Sequence, residues 1–139
     1  MVKKITTTEV RHLAHYLAKT FMEWDEPIPE FDTRFPNKLE SCLNQPFQTY
    51  AKKELYPTLV DKAAILFYLM VKNHPFENGN KRIAMTTLMT FLYMNKRWLR
   101  VDNNEMYNFA KWVAESNPKL MEETVLAIAT FIKTYLKDL

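Results

Sequence analysis

Two helix-length segments, apolar on nearly every side, flank the only glycine in this 139-residue chain, Gly79. The first runs from Pro57 to about Asn73, with an apolar stretch from Ala63 to Val71. The second runs from Asn80 to about Asn95 and carries Ile83, Ala84, Met85, Leu88, Phe91 and Leu92. A surface helix keeps one polar face, so segments of this kind are buried all round. Both cannot lie on a surface, and they are predicted to pack together at the centre of an all-α fold. Glycine ordinarily makes up about 7% of a protein, or about nine residues here. A chain that keeps a single one between its core helices needs it, either for a left-handed backbone angle or for close approach of the backbone to a ligand. The same scarcity excludes several nucleotide cradles. A P-loop needs two glycines and a dinucleotide fingerprint three, and the glycine-rich lid of ordinary protein kinases is excluded in the same way.

Composition sets the remaining bounds. Hydrophobic residues make up 47% and charged residues 25%, a balance that argues for a folded chain. The length suits one domain over residues 1–139. The longest apolar run, Ala63 to Val71, is too short to span a bilayer, and no apolar signal core follows Lys3-Lys4. A single cysteine, Cys42, excludes an internal disulfide and fits a reducing cytoplasm. Net charge is +3, with basic pairs scattered along the chain, which argues against direct nucleic-acid binding.

Helical periodicity dominates the rest. From Thr8 to Met22, the residues Val10, Leu13, Leu17 and Phe21 form a stripe, with Thr6 and Glu9 spaced as a capping box. A proline-rich connection from Trp24 to Pro36 follows, then a short helix from Asn37 to Asn44. Pro57 is expected in the first turn of the next helix. Later helices span Asn103 to Glu115 and Pro118 to Lys137, the last with Val125, Ile128, Ile132 and Tyr135 as its apolar stripe. A short extended segment is expected near Arg97 to Val101. Trp24, Trp98 and Trp112 are expected in or near the core, and Cys42 as an inert buried thiol. His12 and His15 share a helix face but are too few to hold a metal, so they read as a surface pair.

The loop between the two central helices carries the chemistry. Pro75 stops the first helix after His74, and Asn80 begins the second. The backbone N–H groups of Asn80, Lys81, Arg82 and Ile83 would then face whatever lies in front, at the positive end of the helix dipole. Lys81 and Arg82 add mobile positive charge suited to phosphate oxygens. His74 stands at the opposite rim, a side chain able to take a proton near neutral pH. Phe76 is read as a plug into the core. Asn78 and Glu77 are the oxygen ligands available to a magnesium ion.

The stretch His74-Pro75-Phe76-Glu77-Asn78-Gly79-Asn80-Lys81-Arg82 resembles the motif of the Fic/Doc superfamily. That motif is histidine, any residue, phenylalanine, any residue, an acidic residue, glycine, asparagine, glycine and arginine. Lys81 stands where Fic sequences carry their second glycine, and lysine there marks the death-on-curing (Doc) branch. Asn78 stands in the acidic position and offers one neutral carbonyl oxygen where aspartate offers a charged pair. The resemblance covers roughly Phe31 to Val101, including Asn37 to Leu43, Tyr56-Pro57 and Phe91-Leu92. It implies a Fic/Doc-like helical bundle with ATP and Mg2+ as cofactors. His74 would be the base that takes a proton from a target hydroxyl, with Gly79, Asn80, Lys81 and Arg82 at the nucleotide. The Doc branch implies transfer of the γ-phosphate to a serine or threonine of a protein such as a translation elongation factor. The alternatives are Fic-type adenylyl transfer and a non-catalytic binding domain on the same fold. No glutamate has a serine or threonine four residues before it, so the family's built-in inhibitory helix is not expected, and a Phd-like antitoxin is the implied partner. The connection from Phe31 to Pro36 matches the family's target-positioning flap in location.

Overall fold

Residues 1–21, 28 and 35–139 are described by a computed structural model. Among them the fold is all-α, with two small antiparallel strand pairs. Trp24 and positions 31–34 of the flap segment lie outside the described residues.

Helix α1 covers residues 7–21 as Thr7–Glu9, a π-helical stretch Val10–Ala14, and His15–Phe21. Thr6 caps it, accepting from the Glu9 N–H at 3.4 Å. Of the expected stripe only Val10 is buried. Val10, Ala14, His15 and Ala18 face inward, while Leu13, Leu17 and Phe21 are 48%, 37% and 70% exposed. The wide turn, closed by the His15 N–H on the Val10 carbonyl, fits one extra residue into the turn and rotates the inward face. Small Ala14 and Ala18 then let α1 approach a core helix, where the Thr86 hydroxyl donates to the Ala14 carbonyl at 2.7 Å. His12 and His15 are therefore not a surface pair: His15 is buried with its ring 5.9 Å from that of Phe76.

Helix α2, Pro36–Asn44, has Pro36 in its first turn and buries Leu39, Cys42 and Leu43. A hairpin follows, with β1 (Thr49–Tyr50) paired to β2 (Lys53–Glu54). Its two linking residues, Ala51 and Lys52, take φ of 51° and 65°, the turn that glycine or asparagine usually fills. Neither residue is one that marks such a turn in a sequence.

Helix α3, Leu59–Lys72, begins later than Pro57 predicts. Thr58 is the cap: its hydroxyl accepts from the Asp61 N–H at 3.0 Å, and the Asp61 carboxylate accepts from the Thr58 N–H at 3.4 Å. This reciprocal pair satisfies two orphan donors, whereas a first-turn proline only removes one. Every residue from Lys62 to Val71 is buried. Lys62 is included because its ammonium donates to Glu54 Oε1 at 3.0 Å and to the Tyr56 carbonyl, tying the hairpin to the helix.

Helix α4, Asn80–Met94, packs against α3 as expected. Strand β3 (Arg97–Leu99) follows, then α5 (Asn103–Glu115). The last predicted helix is shorter at both ends: Pro118–Leu120 is a 3-10 turn, α6 spans Met121–Tyr135, and Leu136–Asp138 forms β4 against β3. α6 covers another side of α3, and Phe109 of α5 stacks on Phe131 of α6 with centroids 4.1 Å apart. Trp98 and Trp112 are 40% and 50% exposed, not core residues. They sit on a two-stranded edge and on the outer face of an amphipathic helix, where only one side of each ring can be covered. No helix among the described residues is long and apolar enough to cross a membrane.

Candidate functional site

The loop is built from inside outward by Asn80. Its side-chain oxygen accepts from the Phe76 N–H at 3.0 Å, and its amide nitrogen donates to the Phe76 carbonyl at 2.8 Å. This two-way clamp holds Phe76 in the core at 4% exposure, as the plug reading predicts. It also fixes which end of the Asn80 amide is nitrogen, since reversing the amide would set oxygen against oxygen.

Gly79 caps α4 in the left-handed region, at φ 78° and ψ 17°. A Cβ added there would lie 2.8 Å from Ile28 Cγ1 and 3.1 Å from its Cδ1. The glycine is thus required twice, by backbone angle and by the side chain packed against it. It brings no side-chain cap to the helix, whose first-turn N–H groups have no carbonyl a turn before them within the helix. Ile83 does not join them, because its N–H donates to the Gly79 carbonyl at 2.8 Å. The cap residue's carbonyl accepts the first intrahelical bond, so Ile83 drops out of the four N–H groups predicted to face a ligand.

Lys81 is half-buried, and Arg82 is only 4% exposed. Arg82 is therefore a positioned charge inside the fold, not a mobile one at the mouth. His74 is exposed and takes φ of 47°, a left-handed angle uncommon for a side chain of its size. Its Nδ1 lies 3.4 Å from Asn80 Nδ2. Because that nitrogen can only donate, a neutral ring held this way carries its proton on Nε2.

The oxygen donors for a cation fit it only partly. Asn78 Oδ1 accepts from the Gly79 N–H at 2.8 Å, Glu77 is exposed, and no group of three His, Cys, Asp or Glu converges among the described residues. A magnesium ion at this loop would take most of its ligands from phosphate and water, as that ion usually does.

Two features were not legible in the sequence. One is a polar recess of about 440 Å³ beside His74, lined by Asn37, Lys38, Ser41, Lys72, Asn73 and His74. It forms where the end of α3 meets the outer face of α2, a tertiary contact without a periodic signal. The other is an apolar groove where Leu13 and Leu17 of α1 face Met89, Tyr93 and Trp98. Beneath the recess, Cys42 is fully buried, and burial pushes its thiol up to about 11. It is the inert thiol expected.

The Fic/DOC family model matches residues 4–92. The chain belongs to the Fic/DOC family. It is similar to a protein of Mycolicibacterium smegmatis named Toxin Doc, at 36% identity over 73 residues, covering 52% of this chain and 56% of that protein. The chain thus spans little more than half the length of that relative. No solved structure matches.

Proposed function

We propose that the protein is a Doc-like toxin that transfers the γ-phosphate of ATP to a serine or threonine hydroxyl of a target protein. The observation that carries this reading is Lys81 in the motif's branch-marking position, on the first turn of a helix capped by left-handed Gly79. ATP phosphates would lie against the N–H groups of that turn, with Lys81 and Arg82 neutralising charge. The target hydroxyl would approach from the His74 side. Its oxygen bonds to the γ-phosphorus, the bond from that phosphorus to the β–γ bridging oxygen breaks, and ADP leaves. The hydroxyl proton passes to His74. Phosphoryl transfer of this kind is catalysed mainly by positioning and charge neutralisation, so a base held by one long contact is sufficient. Mg2+, when bound with the phosphates, would supply further charge neutralisation, with Asn78 and Glu77 as its protein oxygens.

An antitoxin is the proposed partner, supported by likeness to a protein named Toxin Doc and by the exposed Leu13, Leu17, Phe21 and Trp98. Contiguous apolar side chains in water mark surfaces that other proteins cover. The test is incubation with lysate and ATP labelled at the α- or γ-phosphate. γ-Label on protein supports phosphorylation, and α-label would show adenylyl transfer instead. Label from neither would favour a binding domain, a reading that the engaged Asn78 oxygen supports.

A further inference from the structure

Lys72 ends α3 and reaches the C-terminal end of α5. Its ammonium donates to the Ser116 carbonyl at 2.6 Å and to the Ala114 carbonyl at 3.2 Å, partners 44 and 42 positions away in the chain. The last turn of α5 holds no basic residue of its own, so Lys72 supplies the donors and the positive charge that a carbonyl end favours.

His74 follows two residues later, at a strained angle. Its φ of 47° is left-handed, and it stands before Pro75, where a residue is pushed towards extended angles instead. Such an angle persists only where the surrounding structure fixes it. The His74 ring is exposed and meets Asn80 in one long contact of 3.4 Å, so the ring does little of the fixing. The backbone lies between two anchors. On one side Asn80 holds both backbone groups of Phe76, and on the other α5 holds Lys72.

We infer that Lys72 is a positioning residue: by tying the end of α3 to the end of α5, it holds His74 at its left-handed angle and sets where the imidazole stands. The inference rests on the phosphotransfer reading and adds to it a residue that acts through His74. Asn73, between the two, is bonded into the helix end, its N–H on the Leu69 carbonyl at 2.9 Å. A shift at the end of α3 therefore reaches the histidine backbone with little chain to absorb it.

Lys72→Met, Lys72→Arg and Ser116→Ala test this. Ser116→Ala is the control: it removes the hydroxyl that donates to the Val113 carbonyl at 2.6 Å and loosens the same end of α5, but the bonds of Lys72 go to backbone oxygens and remain. The chain has three histidines, so long-range proton–nitrogen NMR spectra read the His74 ring against His12 and His15. Lys72→Met should move or broaden the His74 ring signals and leave the other two in place, while Ser116→Ala should leave all three. γ-Label transfer in lysate should fall about 5–30-fold with Lys72→Met, the share of molecules lost when a left-handed angle is no longer held. ATP affinity by calorimetry should stay at the parental value, and Lys72→Arg should restore most of the transfer. If Lys72→Met does not fold, Lys72→Gln, which keeps a neutral donor, takes its place in every measurement. Unmoved His74 signals or parental transfer in that variant, or an equal shift with Ser116→Ala, would overturn the inference and leave phosphotransfer standing. Absence of γ-label with the parent would overturn the phosphotransfer reading instead, and the ring signals, which need no substrate, would still decide whether Lys72 holds His74.

Discussion

Replacing Gly79 with alanine isolates the loop's central constraint, because the structure separates two costs. Holding a residue with a Cβ at φ 78° costs about 1–2 kcal/mol. The new Cβ would also lie 2.8 Å from Ile28 Cγ1, on a side chain that is 2% exposed and has little room to withdraw. Overpacking of that kind costs about 1–3 kcal/mol. Together Gly79→Ala should destabilise the protein by roughly 2–5 kcal/mol. In urea, with a slope of about 1–3 kcal/mol per molar, the midpoint should fall by about 0.7 M or more. Ile28→Ala alone should cost about 2–5 kcal/mol through the cavity it leaves. Combining the two removes the collision and keeps the backbone strain, so the double variant should be more stable than the sum predicts by about 1–3 kcal/mol. A Gly79→Ala protein within about 0.5 kcal/mol of the parent would refute the argument. Strict additivity of the pair would refute the Ile28 half of it.

Three further outcomes are expected. His74→Ala should lower γ-label transfer by about 10²–10⁴-fold without changing the melting temperature, because the side chain is exposed; transfer at the parental rate would remove His74 from the mechanism. Asn80→Ala breaks both bonds of the Phe76 clamp and should cost about 2–4 kcal/mol with loss of transfer; unchanged stability by urea titration would mean that Phe76 is held by packing alone. Cys42 should resist iodoacetamide at pH 8 in the folded protein and react in urea. Its folded thiol stays protonated to about 11 against an ordinary 9.0, so its stabilising contribution is fully present below pH 9 and is lost as pH rises towards 11. Rapid alkylation of the folded protein would contradict its burial.

The central pair of helices was legible because both are apolar all round, a pattern that permits little besides mutual burial. Gly79 was legible for the opposite reason, as one residue whose scarcity marked a backbone need. Other features were decided by geometry that periodicity does not encode. A π turn in α1 exchanged Leu13 and Leu17 for Ala14 and Ala18 on the inward face. Lys62 stands just before the apolar run from Ala63 to Val71, yet it is buried because Glu54 and the Tyr56 carbonyl meet its ammonium. The glycine-free hairpin turn at Ala51-Lys52 and the β3–β4 pairing depend on tertiary packing and leave no local signature. At the site, the motif gave the residues and their order, but not that Arg82 is buried, that Ile83 spends its N–H inside the helix, or that Asn80 faces His74 Nδ1.

Intact-mass spectrometry of a target modified in lysate, with the His74→Ala variant run beside the parent, is the decisive test of phosphotransfer through His74. A phosphoryl increment on the target is expected, made by the parent and lost with His74→Ala. An adenylyl increment, or a phosphoryl increment that persists without His74, would contradict it.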